Sequence, residues 1–324
     1  MQNTNESIRI LSAPNSADLV VILGTGGTIA GTAEEATDNV GYRAAQLGVA
    51  QLLQAIPPLG ARRLETEQVA QLDSKDMDFA TWRQLAGRVA AHLARPEVAG
   101  IVITHGTDTL EETAYFLQRV LAPTKPVVLT AAMRPATALQ TDGPQNLLDA
   151  VNVASDAAAS GVLVVFAGVV HSAEQVRKVH SYRVDAFASV DGARLAVVEE
   201  GMIRWLAAPG SRPAGMGLTL LDRPLGQWPR VHIVMNYVGA DAAVVDALLS
   251  QGVDGLVLAG TGNGSLSQGL ESALRAAQSQ GVAVLRSTRC DAGPVTESAE
   301  ALPSAGALSP VKARVELLLK LLAA

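Results

Sequence analysis

The sequence predicts an α/β protein: a larger N-terminal parallel α/β domain followed by a smaller C-terminal flavodoxin-like α/β domain. Three observations predict it. Short apolar runs, foremost Leu19-Val20-Val21-Ile22-Leu23 and Gly100-Ile101-Val102-Ile103, end in glycine-containing turns and read as buried strands. These runs alternate with helix-period segments, which is how a chain lays strands parallel with helices between them. Finally, 324 residues is long for one core, and the stretch 207–230 collects Pro209, Pro213, Pro224 and Pro229 with four interleaved glycines. It reads as a linker, dividing the chain into 1–206, 207–230 and 231–324.

Composition narrows the class. Hydrophobic residues make up 48% and charged residues 17% of the chain, with only 3% aromatic, as in an Ala/Leu/Val-rich globular protein and unlike a disordered one. A formal charge of −6 gives no reason to expect nucleic acid or an anionic membrane surface as a partner. The most apolar stretch, Gly161 to Val170, is too short to span a bilayer. Met1 to Asn15 is polar and does not resemble a secretory signal. Cys290 is the only cysteine, so no intrachain disulfide forms. Together these favour a cytoplasmic enzyme.

The first strand leads into Gly24-Thr25-Gly26-Gly27-Thr28-Ile29-Ala30-Gly31. No Gly-Lys-Ser/Thr follows, so this is not a phosphate loop, and Ile29 occupies the third glycine position of a dinucleotide fingerprint. What remains is a glycine-lined turn in which a substrate can reach both peptide N–H groups and the Thr28 hydroxyl. Thr28 is the candidate nucleophile. The polar stretch Thr32 to Gly41 reads as a flexible loop ending at Tyr42, placed as a lid would be. Val49 to Ile56 reads as a helix stopped by Pro57-Pro58. Asp73-Ser74-Lys75-Asp76-Met77 is a polar connection before a helix over Phe79 to Leu93.

The second informative stretch is Thr104-His105-Gly106-Thr107-Asp108-Thr109-Leu110-Glu111-Glu112. Thr109 and Glu112 fit a capping box, so a helix begins after Thr109. Thr107 and Asp108 then sit in a strand-to-helix turn on the same sheet edge as Thr28, provided the two strands are parallel. Further on, the pattern predicts a strand over Pro126 to Ala131, a helix over Asn146 to Ala159, a strand over Gly161 to Phe166, a mixed polar region from His171 to Ala188 and a short β segment from Arg194 to Trp205. From Val231 a smaller alternation resumes: strands 231–235, 255–259 and 282–285 with helices 242–250 and 266–279. A final helix is capped by Ser309 with Pro310 at its first position.

A hydroxyl needs a neighbour that takes its proton before it becomes a useful nucleophile. Lys178 is a possible partner: beside Asp108 it either serves as a base or anchors the carboxylate. Competing schemes are weaker. There is no Gly-x-Ser-x-Gly elbow. Cys290 has no histidine beside it in sequence, and the five histidines lack metal-ligand spacing, so neither a metal nor a cofactor is expected.

Thr25-Gly26-Gly27-Thr28-Ile29-Ala30-Gly31, together with Ile103-Thr104-His105-Gly106-Thr107-Asp108-Thr109-Leu110-Glu111-Glu112-Thr113-Ala114, resembles the bacterial-type L-asparaginase family. The likeness continues through Ala132-Met133-Arg134-Pro135, Asp142-Gly143-Pro144 and Gly262-Asn263-Gly264 to the last helix, and so covers nearly the whole chain. The resemblance implies that Thr28 attacks a side-chain amide with Tyr42 beside it, while Thr107, Asp108 and Lys178 form a second hydroxyl-acid-lysine group. It further implies that Ser74 holds the substrate α-carboxylate and Asp108 its α-ammonium, with Lys75, Ala132 and Ser265 lining the substrate site. Glu300 would reach the α-ammonium from a neighbouring subunit of a homotetramer built from intimate dimers.

Two residues depart from the family pattern. Lys75 stands where glutamine or glutamate is usual, so it either turns outward or pairs with a carboxylate; Ser265 replaces a common asparagine. The expected activity is hydrolysis of L-asparagine to L-aspartate and ammonia. A glutaminase-asparaginase accepting both amides and a non-catalytic amino-acid sensor are the alternatives, and the joint presence of Thr28, Thr107, Asp108 and Lys178 speaks against the sensor.

Overall fold

The computed structural model describes residues 18–189, 194–207, 213–299 and 301–324. The chain divides into two compact units, Met1–Gly215 and Met216–Ala324.

In the first unit, β1 (Leu19–Gly26) is buried at every position, as its unbroken apolar run predicts. A short helix α1 (Val49–Gln54) ends just before Pro57-Pro58 and leads into β2 (Leu64–Leu72). The helix α2 (Phe79–Leu93) follows, then β3 (Val98–Thr104), α3 (Leu110–Leu121), β4 (Val127–Thr130), α4 (Gly143–Ala154) and β5 (Val162–Phe166). Strands β2, β1, β3, β4 and β5 lie side by side in that order and all run parallel. Because β1 sits between β2 and β3, the connections leaving β1 and β3 depart in opposite directions. That divergence opens a crevice at their carboxyl ends, where open α/β sheets place ligands.

The far side of this sheet is antiparallel. Strands β6 (Val169–Ser172), β9 (Ala196–Glu199) and β10 (Met202–Trp205) extend it, whereas β7 (Val176–Lys178) and β8 (Phe187–Ser189) form a separate ribbon. The reversals come from two-residue turns. Ala167-Gly168 has φ of 48° and 73°, and Glu200-Gly201 has 50° and 74°, the left-handed pairs that close a tight hairpin.

Three differences between sequence and structure concern the elements around the crevice. The pattern did not single out β2, because LETEQVAQL is a strand at the sheet edge with mostly half-exposed polar positions. Helix α4 begins at Gly143 and not at Asn146, since Pro144 is tolerated in a first turn, and it ends at Ala154, where the Ser155 hydroxyl bonds back to the Val151 carbonyl. The capping box at Thr109 does not form. Its hydroxyl donates instead to the Ser74 carbonyl at 2.8 Å, tying the start of α3 to the loop after β2.

The core of the first unit brings Val20 and Ile22 of β1, Val102, Val128, Leu163 and Val165 together with Leu147 and Val151 of α4. In the second unit, β11 (Val231–Met235), β12 (Gly255–Gly260) and β13 (Ala283–Thr288) form a three-stranded parallel sheet. It packs with α5 (Ala243–Ser250), α6 (Gln268–Ser279) and α7 (Pro310–Ala323). The Ser309 side chain accepts the Lys312 N–H, so the last helix is capped as its sequence predicts.

Helices α2 and α3 meet at an aromatic stack: Phe116 lies on Trp82 with ring centroids 4.6 Å apart, and the indole N–H donates to Thr113 at 2.9 Å. Phe116 is fully buried. Replacing Phe116 with Ala is expected to cost about 3–5 kcal/mol, read as a lower urea midpoint of the transition followed by tryptophan fluorescence.

Candidate active site

Both glycine turns leave the carboxyl edge of the parallel strands. Gly24 pairs with Thr104 across β1 and β3, and the Thr25 hydroxyl donates to the Thr104 carbonyl at 2.9 Å, so the two strands end in step. Beyond them the backbones meet. A Cβ built on Gly27 would lie 2.5 Å from the Gly106 nitrogen and 2.7 Å from the His105 carbonyl carbon, and Gly27 has φ of 79°. A Cβ on Gly106 would fall 2.7 Å from that of Ser74. Only glycine fits at either position. The residues that follow, Thr28 and Thr107, are therefore neighbours although 79 positions separate them in the chain.

Thr28 opens a single 3-10 turn, Thr28–Ala30, and keeps 7% of its surface exposed. Its hydroxyl lies 2.6 Å from the Tyr42 phenol. Tyr42 is held at the root of its loop, because Thr32 and the adjacent Arg43 exchange two backbone hydrogen bonds of 2.9 and 2.8 Å. Thr107, 6% exposed, accepts a hydrogen bond from the Lys178 ammonium at 2.9 Å. The same ammonium donates to the Asp108 carboxylate at 2.6 Å.

Ser74 is 2% exposed, in a 3-10 turn begun by Asp73. Its oxygen accepts the Asp108 N–H at 3.2 Å, which leaves its own proton available to an anion. The Lys75 side chain is 62% exposed, and its ammonium bonds the Asp73 carboxylate at 2.5 Å. Ala132 is fully buried just beyond β4. The loop it opens is pinned by the Asp142 carboxylate, which accepts the N–H groups of Met133 and Arg134 at 3.0 and 2.9 Å. Ser265 belongs to the second unit, in a turn closed against Thr261 by backbone bonds of 2.7 and 2.9 Å. Glu300 lies outside the described residues.

Two contributors were not singled out as site residues from the sequence. Glu111 accepts the backbone N–H of Lys178 at 3.2 Å. The buried ring of His105 donates from Nδ1 to the carbonyl of Gly106 at 2.8 Å, the carbonyl being able only to accept. In a trans peptide the following N–H points the opposite way, so this bond turns the Thr107 N–H away from the ring. Both lie inside the stretch Ile103 to Ala114 that carries the resemblance, but neither stood out as a site residue, since each acts on a backbone group: His105 on its neighbour Gly106 and Glu111 on the remote Lys178.

Among the described residues, no cluster of three or more His, Cys, Asp or Glu stands in metal-binding arrangement. The assembled equipment is two threonines on glycine turns whose backbones touch, one hydroxyl on a phenol and the other on a lysine-carboxylate pair, with a serine against the second turn. Such a set suits an enzyme that transfers an acyl group through a threonine oxygen. Comparison with known proteins gives the family. Residues 19–210 match the N-terminal asparaginase model, and residues 230–323 match the C-terminal glutaminase/asparaginase domain. The chain belongs to the asparaginase family.

Its relatives include L-asparaginase 2 of Escherichia coli, 38% identical across 96% of this chain and 90% of that protein. Another is the glutaminase-asparaginase of Pseudomonas fluorescens, 40% identical across 85% of this chain and 76% of that one. A solved structure described as a probable cytoplasmic L-asparaginase from Campylobacter jejuni superposes with a TM-score of 0.88 at 37% identity, covering 94% of this chain and 95% of that one.

Burial lowers the His105 pKa from 6.5 to about 4, so the ring is neutral at pH 7. Below pH 6.5 the unfolded chain takes up a proton that the folded one refuses, and stability is lost as pH falls from 6.5 towards 4. Between pH 7 and pH 5 this amounts to about 2 kcal/mol. Asp149, raised by burial to about 6, works in the opposite direction over the same window, so the effect is read by comparison in urea titrations. The change in stability from pH 7 to pH 5 is expected to differ by this amount between the wild type and His105→Asn, which keeps a donor near Nδ1 but does not titrate.

Proposed function

We infer that the protein is an L-asparaginase, an amidohydrolase that converts L-asparagine to L-aspartate and ammonia. The observation that carries the mechanism is the contact between Gly27 and Gly106, which makes Thr28 and Thr107 neighbours at the crevice. In this reading the Thr28 oxygen attacks the side-chain amide carbon, with the Tyr42 phenol 2.6 Å away to relay its proton. Backbone N–H groups around Gly27 and Thr107 receive the developing oxyanion. Ammonia leaves with a proton passed along the Thr107, Lys178 and Asp108 chain. Water then attacks the threonine ester, releasing aspartate and restoring the Thr28 hydroxyl.

The substrate is an α-amino acid and needs opposite charges at its two ends. The free proton of Ser74 suits the α-carboxylate, and the half-exposed Asp108 carboxylate suits the α-ammonium. With its ammonium on Asp73, Lys75 adds no unpaired cation to the pocket. Its backbone and that of Ala132 are the parts left to border the substrate. Hydrolysis of both amides is a second reading, favoured by the likeness to the Pseudomonas fluorescens enzyme and by Ser265 in place of the family's common asparagine.

The proposal extends to architecture and location. A linker at 207–230 is supported by the interval 211–229 that the two family matches leave between them. A homotetramer of intimate dimers, with Glu300 and Ser265 completing a pocket across subunits, is supported by exposed apolar residues of the second unit: Ile233, Met235, Tyr237, Val238 and Val244. A cytoplasmic location accords with the name of the Campylobacter jejuni neighbour. No helix among the described residues is long and apolar enough to cross a membrane.

Ammonia release measured side by side with asparagine and glutamine tests the substrate. Faster turnover of asparagine is expected, and equal turnover would favour the second reading. Thr28→Ala is expected to lower kcat by about a thousandfold or more with the circular dichroism spectrum unchanged. Retention of activity would remove Thr28 from the nucleophile role. Thr107→Val is expected to lower kcat on a similar scale, and a change confined to KM would remove Thr107 from the proton path.

A further inference from the structure

Lys178 is remote in sequence from the two residues its ammonium engages, and it sits on β7, outside the main sheet. Thr107 and Asp108 lie on the turn that opens α3. For one ammonium to meet a hydroxyl at 2.9 Å and a carboxylate at 2.6 Å, the β7 backbone must be held at a fixed distance from that turn. The lysine stem cannot do this alone, because its four methylenes adopt many rotamers.

Glu111 supplies a fixed link. It stands in the first turn of α3, three residues beyond Asp108, and its Oε1 accepts the backbone N–H of Lys178 itself at 3.2 Å. The bond therefore joins the helix that carries the turn to the residue whose ammonium engages it. Its other oxygen, Oε2, is buried and has no hydrogen-bond partner. An unsatisfied buried carboxylate oxygen is destabilising, so this side chain is not explained by stability. A position in the first helical turn already favours a carboxylate through the helix dipole, but a solvated one would meet that need as well.

We propose that Glu111 is a positioning residue for the reaction: by holding the Lys178 backbone against the first turn of α3, it sets the reach of the Lys178 ammonium to Thr107 and Asp108. The proposal rests on the catalytic reading of Lys178 and Thr107 given above. Glu111 touches neither the substrate nor the reacting hydroxyls. Its contribution is to the geometry of proton transfer, where small displacements cost much of the rate.

The test uses three variants of the full-length enzyme and one background. Glu111→Gln keeps an oxygen acceptor at the same reach and is expected to retain kcat within about threefold. Glu111→Asp keeps the charge but withdraws the acceptor by one methylene, and Glu111→Leu removes it. Both are expected to lose about tenfold or more in kcat with KM for asparagine changed less than about threefold. The Asp variant serves if the Leu variant does not fold, as judged by its melting temperature. In a Lys178→Met background, Glu111→Asp is expected to have no further effect, because both changes break the same link.

Wild-type kcat in Glu111→Asp would overturn the proposal. So would an equal loss in Glu111→Gln, or an undiminished effect of Glu111→Asp in the Lys178→Met background. Failure of the underlying reading looks different: Lys178→Met alone would then turn over asparagine at the wild-type rate.

Discussion

The backbones of Gly27 and Gly106 approach each other so closely that neither position has room for a methyl group. The rest of the crevice follows from that approach. Strands β1 and β3 must end in step, which the Thr25 bond to the Thr104 carbonyl secures, and both must run in the same direction. Ser74 must close in from the loop after β2, because its side chain fills the space where Gly106 would carry a Cβ. Three connections from three strand ends thus meet at one point, and each carries one of the residues Thr28, Thr107 and Ser74 beside it.

Around this point, polar side chains mostly act on backbone rather than on one another. Thr109 holds the Ser74 carbonyl, His105 the Gly106 carbonyl, Glu111 the Lys178 N–H, and Asp142 the N–H groups of Met133 and Arg134. Asn146 continues the pattern, donating to the Ala131 carbonyl and accepting from the Ala167 N–H. Loops at a strand edge have no ladder partners, so their buried peptide groups must be satisfied by side chains. Those bonds make irregular segments as rigid as the sheet beneath them, and rigid support is what a reacting constellation requires.

Much of this was legible in the sequence for identifiable reasons. Buried parallel strands read as continuous apolar runs, and the glycine turns after β1 and β3 stand out because little else tolerates that backbone. The edge strand β2 was not legible, since its solvated positions break the apolar pattern. The ribbon of β7 and β8 escaped a reading of 171–188 as mixed and polar, whereas the β segment read over Arg194 to Trp205 is the hairpin of β9 and β10, whose Glu200-Gly201 turn carries no Asn-Gly signature. In the site, Thr28, Thr107 and Asp108 announced themselves by their turns. Lys178 was a possible partner of Asp108 on chemical grounds alone, and Ser74 gained a role only through the family resemblance. Glu111 and His105, though inside the motif, were not picked out, because a side chain that serves a backbone group has no type-specific pattern of its own. The Thr109 cap illustrates the competition: a local partner was available, and a tertiary one won.

The two backbone bonds between Thr32 and Arg43 also bear on how this chain tolerates change. They fasten the polar loop at its neck like a clasp, with Tyr42 next to the fastening and the residues from Ala33 to Gly41 forming the ring beyond it. Insertions or deletions in that ring alter its circumference without moving the clasp. The ring is tied at Ala33 to Thr137 and at Ala36 to Leu139, so its tip beyond Ala36 is the part that can diverge in length and composition while the phenol beside Thr28 stays where the closure puts it.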